Sequence, residues 1–135
     1  MGYRSDVTIV MYPKRKEDFN MLKLYVDETF PDQFEVHEND NRIKGFRYLM
    51  LEFDSIKWYE GYEEVDVYTR AFSEWDDKFF DDSEEQDEDN AGNYEPIFHY
   101  EFVRIGEDYE DIVKDCSNCC DHILGVDRNA YVSVF

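Results

Sequence analysis

Apolar residues recur along this chain with two different periods, and each period predicts one kind of element. A period of two, which puts alternate side chains on one face of a strand, occurs in five segments: 6–12, 34–38, 46–54, 97–105 and 131–135. Spacings of three and four, which form the stripe of an amphipathic helix, occur twice: at Phe19, Leu22, Val26 and Phe30, and at Val65, Tyr68, Phe72, Trp75 and Phe79. The pattern therefore predicts helices within 14–31 and 61–80, and it leaves 109–115 undecided.

The order of these elements, β-α-β-β-α-β followed by a C-terminal strand, predicts the fold class. Each helix has a single apolar stripe, so both helices need one face of a sheet to bury it, and the split βαβ arrangement provides that face. We expect one α+β domain over residues 1–135: a ferredoxin-like sandwich with an antiparallel sheet and both helices on one face. The C-terminal segment would cover the other face, or else its aromatic residues would form an exposed patch for a partner.

The apolar phase of the strand 46–54 changes near its end. Ile56 and Trp58 are out of register with the preceding alternation, which predicts a β-bulge or the end of the strand. Trp58, Tyr59 and Tyr62 then flank Gly61 at a corner between strand and helix. Such a corner is more often packed than a binding site, and the binding alternative stays open.

Composition excludes several classes of protein. With 135 residues and 18% aromatic residues the chain has enough apolar material for one core, which excludes global disorder. No apolar run reaches the roughly 18 residues of a membrane helix, and residues 1–6 show no apolar signal segment. The three cysteines lie within five residues of one another, which is a poor disulfide framework. We expect a cytoplasmic protein that binds no membrane.

The net charge of −20 is concentrated in the second half of the chain. Residues 1–59 carry nine basic and eleven acidic side chains, a net of −2, and residues 60–135 carry five and twenty-three, a net of −18. Such a surface repels nucleic acid and attracts basic proteins. The acids fall on the polar side of the second helix and in a loop at about 81–93 that we expect to be mobile. The predicted partner-binding residues are Glu63, Asp66, Glu74, Asp77, Asp81, Asp82, Glu84, Glu85, Asp87, Glu88 and Asp89.

The charge density approaches that of a nucleic acid. Duplex DNA carries about two charges per 3.4 Å, so ~20 charges cover ~34 Å, close to the roughly 35–40 Å diameter of a domain of this size. Mimicry of DNA or RNA is therefore one interpretation of the acidic half. A solvated surface that serves only solubility is the other.

A cluster of cysteines raises the question of a metal. Cys116, Cys119, Cys120 and His122 have spacings seen at zinc sites, but structural zinc usually takes two ligands from each of two separate elements, and a second pair is missing. Nucleophilic catalysis by Cys and His would also need an orienting group and an oxyanion hole, neither of which the sequence locates. Phosphate-loop, dinucleotide and metalloprotease motifs are absent as well. We expect no metal, no cofactor and no enzymatic activity.

Three stretches carry a resemblance: GYRSDV at 2–7, SIKWYEGYEEVD at 55–66 and FVRIGEDYEDI at 102–112. Together they resemble a family of small, acidic, uncharacterised proteins of bacteriophages and prophages, and DCSNCCDH at 115–122 is not part of that family's pattern. The resemblance implies expression in a bacterial host, where such proteins often disarm nucleic-acid machinery.

Three hypotheses follow from these observations. The first is a non-enzymatic phage protein that binds and inhibits a basic, nucleic-acid-handling host protein, such as a restriction, CRISPR or other defence factor. The second is a phage structural or assembly component whose acidity serves solubility. The third is a small metal-binding regulator that uses the cysteine cluster.

Overall fold

A five-stranded antiparallel sheet is the frame of the structure. The computed structural model describes residues 4–38, 46–59, 61–80, 95–106, 111–118, 120, 123–126 and 132–134. Along the chain the five strands are β1 (Ser5–Pro13), β2 (Glu35–Glu38), β3 (Arg47–Ile56), β4 (Phe98–Gly106) and β5 (Ile112–Cys116). Their spatial order is β2-β3-β1-β4-β5, and every neighbouring pair is antiparallel.

Two α-helices and a small second sheet complete the described elements. They are α1 (Phe19–Thr29), which follows a 3-10 turn at Lys16–Asp18, and α2 (Glu63–Lys78), together with the pair β6 (Leu124–Val126) and β7 (Val132–Val134). The predicted α+β class is confirmed, and both helices lie within the predicted ranges. The strand β5 falls in the segment that the sequence left undecided, and β6 was not predicted. The predicted loop at 81–93 lies outside the described residues.

One face of the sheet is buried under both helices. Leu22 of α1 and Phe72 of α2 belong to the same core cluster as Ile9, Leu51 and Phe102 from three different strands. Each helix is apolar on one side only, and both apolar stripes therefore pack against the same face of the sheet. Stacked rings add to this core: the centroids of Phe72 and Tyr100 lie 4.2 Å apart with their planes 9° from parallel.

The opposite face of the sheet is covered by the C-terminal segment. Ile123 and Leu124 are buried against Val10 and Tyr12 of β1 and against Val103 and Ile105 of β4, and they join a second core cluster with these residues. Of the two outcomes that the sequence left open for this face, the structure shows the covered one.

A buried carboxylate fixes that segment. Glu101 is 4% exposed and lies on the second face of β4. Its Oε2 accepts a hydrogen bond from the Tyr12 hydroxyl at 2.5 Å and one from the Ile123 N–H at 3.0 Å, and its Oε1 accepts the Leu124 N–H at 3.1 Å. Burying a carboxylate is costly unless its oxygens are satisfied, and these three donors satisfy it.

A β-bulge near the end of β3 places Trp58 on the side of the sheet that the helices cover. The β1–β3 register shifts between Ser5 and Val7, and Ser55 adopts a left-handed backbone conformation with φ of 55°. The Ser55 N–H donates to Asp6 Oδ1 at 2.8 Å, and Arg4 Nη1 donates to the Ser55 carbonyl at 2.8 Å. The bulge adds one residue to β3, which changes the face of the sheet on which the following side chains lie. Trp58 therefore lies on the helix side of the sheet. The predicted phase change is confirmed.

Replacing Ser55 with Gly is expected to raise the free energy of unfolding by about 0.5–1 kcal/mol. Gly adopts positive φ without the strain of a side chain, and its greater freedom in the unfolded chain offsets part of that gain. Urea denaturation measures the change. Ser55→Ala is the matched control, because it removes the hydroxyl and keeps the strain. A loss of stability in Ser55→Gly would contradict the strain argument.

Candidate functional site

The helix α2 presents an acidic surface to solvent. Its sequence, EEVDVYTRAFSEWDDK, holds six acidic and two basic residues, a net charge of −4. Glu63, Glu64, Glu74 and Asp77 are exposed, whereas the apolar stripe of the helix is buried. Within the described part of the chain, Glu63, Glu64 and Glu74 form no ion pair. These carboxylates therefore keep their charge available to a partner.

Two other acids of α2 are engaged in the fold itself. Asp66 is half-buried, and its Oδ1 accepts the Gly61 N–H at 3.0 Å, which closes the turn before the helix. Asp76 is also half-buried, and its Oδ1 accepts the Asn118 N–H at 2.9 Å. Asp66, which the sequence placed among the partner-binding residues, thus also has a structural hydrogen bond. The remaining predicted residues, from Asp81 to Asp89, lie outside the described residues.

A groove opens between α2 and β5, on the helix side of the sheet. We call it the Trp58 groove; its volume is about 690 Å³. It is lined by Trp58, Tyr59, Thr69, Phe72, Ser73, Phe102, Arg104, Val113 and Asp115. Its lining contains four aromatic residues, and β5 forms its outer wall. The strand that the sequence left undecided therefore completes this groove.

The charges in the Trp58 groove leave one carboxylate without a cation. Arg104 is bound to Asp111, with Nη2–Oδ1 at 3.2 Å and Nη1–Oδ2 at 3.4 Å, and it also donates to Ser5 Oγ at 3.4 Å. Asp115 accepts hydrogen bonds from the Tyr100 hydroxyl and from the Cys116 N–H, each at 2.9 Å, but forms no ion pair with any described residue. The two charged lining residues, Arg104 and Asp115, together with Asp111, which is bound to Arg104, have a net charge of −1.

The pKa of the neighbouring tyrosine reflects this carboxylate. Burial, followed by the negative charge and the hydrogen bond of Asp115, raises the pKa of Tyr100 far above its ordinary value of 10. The hydroxyl therefore stays protonated and donates to Asp115 at any physiological pH.

Trp58 also forms a wall of a second, smaller cleft. This cleft has a volume of about 360 Å³ and is lined by Pro31, Asp32, Phe53, Ile56, Lys57, Trp58, Tyr62, Glu64 and Val65. The Trp58 ring packs on Phe53, Tyr68 and Phe102, with centroids 6.1, 5.9 and 5.7 Å from its own. The sequence interpretation of a packed corner is correct for these contacts. The sequence did not indicate that Trp58 stays half-buried and borders two clefts.

A buried Ser-His-Glu arrangement lies under the second face of the sheet. His99 Nδ1 is 2.7 Å from Ser117 Oγ, and His99 Nε2 is 2.7 Å from Glu95 Oε1. His99 is fully buried and Ser117 is 1% exposed, and Ser117 Oγ also accepts the Tyr100 N–H at 3.2 Å. A substrate has no access to this hydroxyl, so the arrangement joins β4 to the segment after β5. The alternation of β4, in which His99 shares a face with Val103, was the only sequence signal for it.

The cysteine cluster is described only in part. Cys116 is half-buried and Cys120 is buried. Cys119 and His122 lie outside the described residues. Among the residues that the structure describes, no group of three or more His, Cys, Asp or Glu side chains is placed to hold a metal ion. In the same part of the chain no helix is long and apolar enough to span a membrane.

Comparisons with protein-family models, with curated proteins and with solved structures found no match. The resemblance to phage and prophage proteins stays a prediction, and the function must be argued from the surfaces described above.

Proposed function

We propose that this chain is a non-enzymatic binding protein whose acidic surface engages and inhibits a basic, nucleic-acid-handling protein in the cytoplasm of a bacterial host. The observation that carries the proposal is the row of exposed carboxylates on α2, three of which have no ion pair among the described residues. Proteins usually intersperse the two signs of charge on their surfaces. On α2 the acidic residues outnumber the basic ones by six to two, although Arg70 and Lys78 are exposed as well, and on a chain with a net charge of −20 this excess creates a field that attracts cations.

The spacing of these carboxylates supports mimicry of a nucleic acid. From Glu63 to Asp77 the helix advances by about 21 Å, since each residue adds about 1.5 Å. Four exposed carboxylates lie in that length. One strand of duplex DNA carries about six phosphates over the same distance. The exposed Arg70 and Lys78 of the same helix reduce its net exposed charge to −2, about one third of the charge of the DNA strand. The helix carries this charge on a backbone that needs no ordering when it binds.

The fold suits such a function. We propose that it is ferredoxin-like: β1 lies between β3 and β4, β2 lies outside β3, and both helices contribute to one core cluster, which are features of the split βαβ arrangement. The fifth strand extends the sheet beyond β4. In this arrangement α2 packs over the sheet through its buried stripe and keeps its acidic side outward.

Reversing the charge of α2 is expected to weaken capture of the partner at least tenfold. The variant is Glu63→Lys, Glu74→Lys and Asp77→Lys, and all three side chains are exposed. Many ion pairs that form together make binding strongly dependent on salt, so the wild-type complex should dissociate at high salt and in excess duplex DNA. The measurement is affinity capture from bacterial lysate, with the bound protein quantified after low-salt, high-salt and DNA washes.

A matched control changes the net charge equally on the other face of the sheet. Glu35→Lys, Glu52→Lys and Asp54→Lys replace exposed residues of β2 and β3, which lie together away from α2. This variant should retain most of its capture. A partner that survives high salt, ignores DNA and binds both variants equally would contradict the proposal. Such a result would favour a phage structural or assembly component whose acidity serves solubility.

The third hypothesis, a metal-binding regulator, has its own test. Zinc bound in stoichiometric amount after purification from zinc-containing medium, and lost in Cys119→Ser, would support it. Absence of zinc would remove it.

A further inference from the structure

The Trp58 groove offers aromatic faces to a ligand. Trp58 packs on Phe53, Tyr68 and Phe102, yet it is only half-buried and shares the groove lining with Tyr59. A cation over the face of a tryptophan or tyrosine ring is attracted by the ring's quadrupole, most strongly by tryptophan. The groove is therefore suited to a flat or compact cation.

The charges of the groove favour the same class of ligand. Its one cationic lining residue, Arg104, is already bound to Asp111. The carboxylate of Asp115 has hydrogen-bond donors but no cation among the described residues. An anion would meet Asp115 and the net charge of −20, whereas a guanidinium or ammonium group would form an ion pair with the exposed carboxylate of Asp115.

The outer wall of the groove is β5, whose outer edge pairs with no other described strand. The Gly106 N–H donates to the Asp111 carbonyl at 2.9 Å, and the Ser117 N–H donates to the Tyr100 carbonyl at 3.0 Å. In an antiparallel pair the hydrogen-bonded positions alternate, so the backbone groups of Ile112 and Lys114 point away from β4. Among the described strands, β5 is the last of the sheet on this side.

We propose that the Trp58 groove is the docking site for an extended, basic segment of the partner: the segment pairs with the edge of β5 and inserts an arginine or lysine side chain into the groove lined by Trp58 and Asp115. Addition of a strand to an exposed edge gives affinity through the main chain, and the groove gives specificity through one side chain. Val113, which is 40% exposed on the groove side of β5, offers an apolar contact beside the inserted cation. This inference rests on the proposed function, because it names a second contact with the same basic partner.

A short peptide of alternating valine and arginine, acetylated and amidated at its ends, is the probe. In an NMR titration of the full chain at fixed salt, we expect shifts of the Trp58 indole N–H and of the Ile112 and Lys114 amides. The Trp75 indole should not move, because it is buried and donates to the Phe98 carbonyl. A peptide with glutamine in place of arginine should bind at least tenfold more weakly. Equal binding of the two peptides, or shifts confined to α2, would overturn the proposal.

Two variants that each remove one negative charge distinguish binding in the Trp58 groove from attraction by the overall negative charge of the protein. Asp115→Asn keeps an acceptor for the Tyr100 hydroxyl and should weaken the arginine peptide about five- to tenfold. Asp54→Asn removes one charge from an exposed residue on the far side of the sheet and should change the affinity less than about twofold. Trp58→Leu should weaken binding about fivefold, and Trp58→Phe, which retains a ring, should weaken it less. Equal effects of Asp115→Asn and Asp54→Asn would contradict the site.

The two proposals fail separately. If reversal of the α2 charges abolishes capture of the partner and the groove variants leave it unchanged, the groove is not the docking site and the proposed function stands. If the arginine peptide binds the groove as expected but the partner ignores salt, DNA and the α2 reversal, the proposed mimicry is wrong.

Discussion

Glu101→Ala is expected to lower the free energy of unfolding by about 3–5 kcal/mol. The carboxylate is buried and accepts hydrogen bonds from the Tyr12 hydroxyl and from the N–H groups of Ile123 and Leu124. Removing it leaves three buried donors without an acceptor, and each such donor costs about 1–3 kcal/mol. Urea denaturation of the wild type and the variant measures the loss.

Tyr12→Phe is the matched control, because it removes one of the three donors and leaves Glu101 to the two backbone groups. Its expected cost is about 1–2 kcal/mol. Hydrogen exchange gives a second readout: the amides of Ile123 and Leu124 should lose protection in Glu101→Ala and keep most of it in Tyr12→Phe. If the two variants lose equal stability, Glu101 does not fasten the C-terminal segment to the sheet.

The parts of the fold that the sequence predicts are those with a local apolar period. The stripe from Phe19 to Phe30 placed α1, and the stripe from Val65 to Phe79 placed α2. The change of phase at Ile56 and Trp58 predicted a bulge or the end of the strand, and the structure has a bulge there, with Ser55 at positive φ. A local apolar period is enough to predict a helix or strand wherever only one side of that element is buried.

The elements that the sequence missed have no such pattern. In β5 all residues from Ile112 to Asp115 are exposed, and the two apolar ones, Ile112 and Val113, lie on opposite faces, so no apolar alternation marks this edge strand. Glu101 and His99 are polar residues at inward positions of β4, where hydrophobicity alone predicts solvent exposure. Their burial depends on partners distant in the chain, such as Ser117 and Leu124, and a single sequence does not show those pairings.

The same division applies to the candidate site. Acids on the polar side of α2 follow from helical periodicity, and Glu63, Glu74 and Asp77 are indeed exposed. The Trp58 groove needs the bulge, the edge strand and the pairing of Arg104 with Asp111 at once. The last of these decides the sign of the charge in the groove, and it depends on the register of β4 and β5.

The stability of the protein is expected to fall steeply above about pH 10. Burial, together with a hydrogen bond to Asp32, raises the pKa of Tyr68 far above its ordinary value of 10, and burial and Asp115 raise the pKa of Tyr100 in the same way. In the unfolded chain both hydroxyls ionise near pH 10, whereas in the folded chain they stay protonated. The contribution of a raised pKa is complete below the unfolded pKa and is lost as pH rises. The free energy of unfolding should therefore fall by about 1.4 kcal/mol per pH unit for each of the two tyrosines.

Tyr68→Phe and Tyr100→Phe isolate this effect from the other groups that titrate in alkali. At neutral pH each variant should be less stable than the wild type by about 1 kcal/mol, because the hydrogen bonds to Asp32 and Asp115 are lost. Above pH 10 the free energy of unfolding of the wild type falls, because the hydroxyl ionises in the unfolded chain and stays protonated in the folded one. A phenylalanine variant has no hydroxyl at that position and does not lose this contribution. The stability curves of wild type and variant should therefore cross near pH 11, where one unit of titration offsets one hydrogen bond. Curves that stay parallel from pH 8 to about pH 11.5 would show that these hydroxyls ionise as readily in the folded protein as in the unfolded chain.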